Sequence, residues 1–259
     1  SLFGANCHMS CIVADDDHGR FYIEDLFSNK VSHSNPPISS SLSSGRCLVM
    51  VSEDAERTMC TNLGINSELS TNDIDEEIIK GSDYLFLEGY LVASPNGVEI
   101  FKKALKVAKK HNTKISVSLS DPNIVNAFRN EIQTLLQIQC DLIFCNQEEA
   151  LAYAETDSLQ DAFEVLKGTS PNFLITQGSS GCIGFDGKNH IDIPGHKVKA
   201  IDSNGAGDMF AGAVLYYLSQ GQSLQNGAKF GCYAAARVVS HVGPRLLKKG
   251  YSEIKINYS

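Results

Sequence analysis

The chain has 259 residues, 42% of them hydrophobic and 20% charged, which is the composition of an ordinary globular protein with a sizeable core. Its 22 basic and 30 acidic side chains give a formal net charge of -8, which repels a phosphate backbone and excludes broad nucleic-acid binding. The longest apolar stretches, such as residues 84–87 and 142–145, are far shorter than the ~18 residues that a membrane span needs, so we expect no membrane partner.

The amino-terminal part of the chain predicts a loop followed by a β-hairpin. Residues 1–4 carry no initiator Met and no cap or strand signal, so we expect the true beginning to be missing. A proline-marked and serine-rich stretch over residues 32–44 is typical of a loop. Two strand-like runs, residues 46–52 and 56–62, then flank residues 53–55 in the pattern of a hairpin.

From residue 84 onwards, apolar strands alternate with amphipathic helices. The predicted elements are strands at 84–87, 115–119, 142–144 and 173–175, and helices at 94–108 (capped by Ser94), 124–136, 146–154 and 158–167. Parallel neighbours need a crossover connection, so this order predicts a mainly parallel sheet with helices on both faces and ligands at its carboxyl edge. A second hairpin at 182–193 and two long helices, at 206–219 and about 224–241, follow.

The most informative segment is residues 202–208 (Asp-Ser-Asn-Gly-Ala-Gly-Asp), an extended stretch that turns through two glycines into a helix. The backbone amides of Gly205, Ala206 and Gly207, together with the positive helix end, make a pocket suited to a phosphate. Asp208 lies in the first helical turn, where a carboxylate stays ionised and can act as a general base. The alternative is a plain tight turn in which Asp208 only complements the helix dipole.

Two other phosphate-binding motifs are excluded. A dinucleotide fingerprint would need a third glycine where Phe210 stands and an acidic residue about 20 positions later, but residues 209–252 contain no Asp or Glu. A P-loop fails because Lys188 is followed by Asn189 and preceded at the required offset by Cys182 instead of glycine.

Several motifs, in order, resemble those of the ribokinase (PfkB) family of sugar and nucleoside kinases. Residues 202–208 resemble its Asp-Thr-x-Gly-Ala-Gly-Asp signature, residues 146–149 its Asn-x-x-Glu, and residues 176–181 its Thr-x-Gly-x-x-Gly. Residues 231–235 resemble the helix that flanks the adenine, and together with residues 61–64 they are closer to the adenosine kinase branch. The resemblance implies a ribokinase-like three-layer αβα sandwich over residues 1–259, with a small β lid formed by the hairpin at about 45–64.

The resemblance also implies an activity: ATP-dependent phosphorylation of a hydroxymethyl group on a sugar or a nucleoside such as adenosine. Asp208 would be the catalytic base, and the amides of residues 205–207 would form the anion hole. Asn146 and Glu149 would hold Mg²⁺ through water, although on the residues alone the capping box of a helix is the favoured interpretation of this pair. The remaining implied residues are Thr176, Gly178, Gly181, Gly231, Cys232 and Ala235 for ATP, and Asp202 and Gly243 for K⁺.

The resemblance exposes a gap at the amino terminus. The family's first strand, with its Gly-Asn-x-x-x-Asp-like segment, and the following Gly-Gly-x-x-x-Asn run have no counterpart here, so we expect part of the lid and half of the acceptor site to be missing. This gap leaves open an alternative, a catalytically inactive nucleotide-binding or regulatory protein. The expected partners are a small sugar or nucleoside substrate and a second subunit bound through the lid. Eight scattered cysteines without a Cys-x-x-Cys pair or a signal peptide predict a cytoplasmic location.

Overall fold

Strands and helices alternate along the chain. The computed structural model describes residues 1–52, 57–138 and 140–258. The strands are β1 (Cys7–His8), β2 (Val31–Ser32), β3 (Arg46–Val51), β4 (Arg57–Asn62), β5 (Tyr84–Glu88), β6 (Lys114–Ser118), β7 (Leu142–Asn146), β8 (Phe173–Thr176), β9 (Gly181–Phe185) and β10 (His190–Pro194). The helices are α1 (Asp17–Ser28), α2 (Glu76–Lys80), α3 (Gly97–His111), α4 (Pro122–Ala127), α5 (Arg129–Ile138), α6 (Gln147–Ala154), α7 (Leu159–Thr169), α8 (Ala206–Ser219), α9 (Leu224–Val238) and α10 (Lys248–Tyr258).

A six-stranded sheet in the order β10-β9-β8-β7-β6-β5 forms the centre of the fold. Strands β5 to β8 are parallel, whereas β9 and β10 form an antiparallel hairpin at one side, as the second hairpin motif predicts. Two smaller pairs lie apart from this sheet: β1 with β2, which are parallel, and β3 with β4, which are antiparallel. The predicted turn of the β3–β4 hairpin, residues 53–55, lies outside the described residues.

Two apolar cores cover the two faces of the central sheet. Successive strand residues point to opposite faces, so Ile143 packs into one core with α3, α5, α6 and α7, while Leu142 and Phe144 pack into the other with α8 and α9. Burial on both faces explains why β7 and β8 are continuous apolar runs instead of alternating ones. The predicted three-layer αβα sandwich is confirmed.

The helix boundaries required four corrections. The helix predicted at 124–136 is two helices, because the backbone leaves helical geometry at Phe128 (φ -125, ψ 28). Ser94 is not the cap of α3: its hydroxyl donates to the carbonyl of Leu91 at 2.9 Å, and Asn96 precedes the helix instead. Helix α9 ends at Val238, before the predicted residue 241. Helices α1, α2 and α10 were not predicted.

No helix among the described residues has the length and the apolar character needed to cross a membrane.

Candidate active site

The carboxyl ends of the parallel strands bring polar residues together at one edge of the sheet. Glu88 at the end of β5 is in register with Ser118 of β6, and Asn146 at the end of β7 is in register with Thr176 of β8. Sequence reasoning placed the ligand site at this edge. The predicted Asn146 and Thr176 lie there, together with Glu88, which was not predicted.

The loop before α8 has the geometry that its two glycines predict. Gly205 has φ +76, and a Cβ at this position would overlap the carbonyl oxygen of Pro244, so only glycine fits. The amide of Ala206 donates to the carbonyl of Ser203 at 3.3 Å, which tightens the turn. At Gly207, by contrast, a Cβ would meet no atom within 4 Å, so the start of α8 faces open space.

Asp208 is exposed in the first turn of α8. It is not buried in the protein interior, and it lies where the positive end of the helix favours its ionised form. Gly207 beside it is exposed as well, so both the carboxylate and the first-turn backbone are accessible.

Asp202 is a buried carboxylate, 2% exposed, that joins two loops. Its Oδ1 accepts a hydrogen bond from the amide of Asn204 at 2.9 Å, and its Oδ2 accepts one from the amide of Gly243 at 2.8 Å. Gly243 has φ +97 and precedes Pro244, whose carbonyl packs on Gly205. These contacts hold the loop before α8 against the loop after α9.

Glu88 was missed by sequence reasoning, yet it is the acidic neighbour of Asp208. Burial by surrounding protein atoms raises the pKa of Glu88 to about 6, a hydrogen bond from Ser120 opposes the shift, and the charge of Asp208 adds to it. Ser120 donates its hydroxyl proton to Oε2 of Glu88 at 2.9 Å and accepts the amide proton of Gly89 at 2.8 Å. Ser120 has φ +71, which is uncommon for a residue with a side chain.

Asn146 and Glu149 form the capping box that the sequence left open as an alternative. The Asn146 side chain accepts the Glu149 amide proton at 2.8 Å, and the two carboxylate oxygens of Glu149 accept from the Asn146 backbone and side-chain amides at 3.0 and 2.7 Å. Glu149 is 5% exposed. Since these bonds already occupy both carboxylate oxygens, the pair suits Mg²⁺ that keeps its own water shell, not a directly coordinated ion.

The loop from β8 to β9 also follows its predicted motif. Gly178 has φ +55 and open space around its Cα, whereas Gly181 has φ +101 and a Cβ there would overlap the carbonyl of Ile193. The Thr176 hydroxyl donates to the carbonyl of Cys145 at 3.4 Å, so this residue is tied to β7. The loop therefore stands next to the capping box at the edge of the sheet.

The residues predicted on α9 lie deeper than the others. A Cβ at Gly231 would lie 2.8 Å from the Phe210 ring, so this glycine lets α8 and α9 approach closely. Cys232 is buried, and its thiol donates to the sulfur of Cys182 at 3.6 Å. Ala235, one turn further on, is half-buried. Packing explains Gly231 and Cys232 without a ligand, and their contact with a nucleotide stays a prediction.

The arrangement of metal-ligating side chains bears on which cofactors the site could hold. Within residues 1–52, 57–138 and 140–258, no group of three or more His, Cys, Asp or Glu side chains is arranged to hold a metal ion. All eight cysteines are free thiols. Any divalent ion at this edge would therefore depend on water and on the phosphate oxygens of a substrate for most of its ligands.

Comparisons with known proteins identify the family. The chain is 26% identical over 223 residues to the adenosine kinase of Schizosaccharomyces pombe, a match that covers 78% of this chain and 64% of that protein. The crystal structure of adenosine kinase from Sinorhizobium meliloti superposes with a TM-score of 0.95 at 28% identity and covers 99% of this chain and 79% of that chain.

A ribokinase-type protein from E. coli, solved in complex with ATP and Mg²⁺, superposes with a TM-score of 0.88 and covers 100% of this chain and 85% of that one. At 20% identity this likeness supports the fold alone. The family match itself extends over residues 1–249. The chain therefore belongs to the pfkB family of carbohydrate kinases.

Proposed function

We propose that this protein is an ATP-dependent kinase that transfers the γ-phosphoryl group to a hydroxymethyl group of a nucleoside or a sugar. The observation that carries the proposal is the exposed Asp208 in the first turn of α8, next to the open backbone at Gly207. We infer that this base and the amide donors at the start of α8 act on the same group, which is the arrangement that in-line phosphoryl transfer needs.

In the proposed mechanism, Asp208 accepts the proton of the acceptor hydroxyl as its oxygen attacks the phosphorus. The amides of Gly205 and Gly207 and the positive end of α8 stabilise the charge on the transferred group, whereas the amide of Ala206, also predicted for this role, already donates to the carbonyl of Ser203. The transition state is loose, so most of the rate comes from positioning and electrostatics. Asp202 and the positive-φ Gly205 act indirectly, because they fix the loop that presents these amides.

For the cofactors, we propose Asn146 and Glu149 as the residues that hold Mg²⁺ through its water shell. When bound there, Mg²⁺ would neutralise the negative charge of the phosphate groups. Thr176, Gly178 and Gly181 would contact the ATP phosphates, and Gly231, Cys232 and Ala235 would face the adenine. Asp202 and Gly243 remain our proposal for a K⁺ site, since a buried carboxylate joins the two loops there.

We favour an adenosine-like nucleoside as the acceptor. The relatives named above include adenosine kinases at 26% and 28% identity, and residues 61–64 and 231–235 resemble the adenosine kinase branch more closely than ribokinase. The family as a whole is named for carbohydrates, so a free sugar is the competing acceptor. No observation on the described residues favours the catalytically inactive alternative.

Three further proposals concern the setting of the enzyme. The β3–β4 hairpin acts as the lid over the acceptor. It also pairs two subunits, because its apolar side chains Leu48 and Met50 are 65% and 50% exposed. Sedimentation velocity of a Leu48→Asp variant would report loss of the dimer. The eight free thiols fit a cytoplasmic location.

The proposed activity is tested by a coupled ADP-release assay of the full-length protein with ATP and Mg²⁺ against adenosine, ribose and fructose. We expect release that depends on the acceptor and is highest with adenosine. Equal rates with and without every acceptor would contradict the proposal, and a higher rate with a sugar would reassign the acceptor.

A further inference from the structure

The residues before β3 and after β4 are attached to the same small part of the protein body. Before β3, Ser43 accepts the amide proton of Ile65 through its carbonyl at 2.9 Å, so the two ends are bonded to each other. After β4, Ile65 is fully buried and packs with Ile12 and Ala14. The hairpin therefore leaves the body of the protein at residues 43–45 and returns to it at Gly64, where φ is +51.

One carboxylate connects this base to α1. Asp16 is the N-cap of α1, and its Oδ1 accepts the amide proton of Gly19 at 2.7 Å. The same side chain accepts two hydrogen bonds from Ser44: the hydroxyl donates to Oδ1 at 2.7 Å and the amide donates to Oδ2 at 2.8 Å. Ser44 is 3% exposed, and its hydroxyl oxygen also accepts the amide proton of Ala14 at 3.0 Å.

These bonds are short and charge-assisted, which makes them stronger than neutral ones. They lower the pKa of Asp16 to about 2, so the carboxylate is ionised at any physiological pH. A cap alone would use one oxygen of Asp16, whereas here both oxygens are committed to Ser44. Next to this contact, Arg46 at the start of β3 lies 3.3 Å from His18 on α1.

We propose that Asp16 is a positioning residue that fixes the β3–β4 hairpin through Ser44, so that the hairpin excludes water during phosphoryl transfer. The proposal rests on the proposed kinase function and goes beyond it, because it assigns the control of the hairpin to a residue on α1. Release of the contact frees the end of the hairpin that precedes β3, and water then competes with the acceptor hydroxyl.

The test compares Asp16→Asn with wild type and with Asp186→Asn. An asparagine keeps an N-cap oxygen for Gly19 but sets an amide NH₂ group against the Ser44 amide. Asp186 is a matched control, because it also accepts backbone amide protons, from Lys188 at 3.0 Å and Asn189 at 2.6 Å, but in the β9–β10 turn. Ser44→Ala is the second variant and removes the hydroxyl donor.

Two measurements are made on the full-length protein. Trypsin cleavage in the hairpin, at Arg46 and Arg57, is followed by mass spectrometry, and we expect it to be about tenfold faster in both contact variants than in the control. The ratio of ATP hydrolysis to acceptor phosphorylation should rise several-fold in the same two variants. Neither measurement requires that excess acceptor rescue a variant.

The proposal would be overturned if Asp16→Asn and Ser44→Ala kept the wild-type rate of trypsin cleavage and the wild-type ratio of ATP hydrolysis to acceptor phosphorylation. An equal acceleration in Asp186→Asn would overturn it too, since it would reveal general destabilisation. The cleavage assay needs no kinase activity, so a wild type that phosphorylates no acceptor refutes the proposed function while the hairpin contact is still decided by trypsin.

Discussion

At the scale of single residues, the site depends on two carboxylates, Asp208 and Glu88, that interact electrostatically. The sequence predicts the first of them, because its glycines and helix start form a local pattern. Glu88 has no such pattern around it, and only the register of β5 against β6 and the position of α8 bring it near Asp208. Local chemistry was therefore predictable from the sequence, and the second carboxylate was not.

Glu88 gives the protein a predictable pH dependence. Its pKa is raised from 4.5 to about 6, so its contribution to stability is fully present below pH 4.5 and is lost as the pH rises through 6. Glu88→Gln should therefore raise the melting temperature at pH 7, by an equivalent of about 1 kcal/mol or less because the side chain keeps contact with solvent. Melting curves of both proteins from pH 4.5 to pH 8 check this, and a pH-independent difference would contradict it.

Two glycines at the start of α8 should respond differently to alanine. Gly205→Ala forces a side chain into a positive-φ position against Pro244 and should cost about 1–3 kcal/mol of unfolding free energy. Gly207→Ala meets open space and should leave stability within about 1 kcal/mol of wild type. If the phosphate binds there, the added methyl group lowers turnover at least about tenfold. Denaturant unfolding and the ADP-release assay separate the two effects, and full activity in a stable Gly207→Ala would refute the anion hole.

At the scale of elements, the strength of periodicity decided what the sequence could predict. The amphipathic α3 was found because its apolar residues recur at helical spacing, and buried strands such as β7 were found as short apolar runs. Helix α10 was missed, since only Tyr251 and Ile254 of its described side chains are buried among many polar ones. The break at Phe128 arises from tertiary contacts: Arg129 donates to the carbonyl of Ala152 at 3.0 Å and so ties the junction to α6.

The start of α6 permits a test of its double interpretation as cap and magnesium site. Glu149→Gln keeps one of the two bonds that the Glu149 carboxylate accepts from Asn146, and Ser158→Ala removes the N-cap of α7, so each should cost about 1 kcal/mol of unfolding free energy. Only Glu149→Gln should weaken the apparent affinity for Mg²⁺, by roughly 10- to 100-fold. Titration of activity with Mg²⁺ at saturating ATP checks this, and an equal Mg²⁺ requirement in both variants would leave Glu149 with the capping role alone.

At the scale of the whole molecule, the order of elements was enough to predict the layers. Alternating strands and helices require crossovers, and crossovers cover both faces of a parallel sheet, as the two cores beside β7 confirm. The separate β3–β4 pair was also predicted as a hairpin. The attachment of this hairpin through Asp16 and Ser44 was not predicted. The two residues are far apart in the sequence, and no sequence pattern indicates that they lie close together.

The proposed phosphoryl transfer requires that the carboxylate of Asp208 takes a proton from the acceptor hydroxyl. In Asp208→Asn we expect the acceptor-dependent rate to fall by about 10²–10⁴-fold, the typical contribution of a general base, while ATP affinity measured by calorimetry stays within a few-fold of wild type. A variant that binds ATP normally and phosphorylates the acceptor within tenfold of the wild-type rate would contradict the central claim.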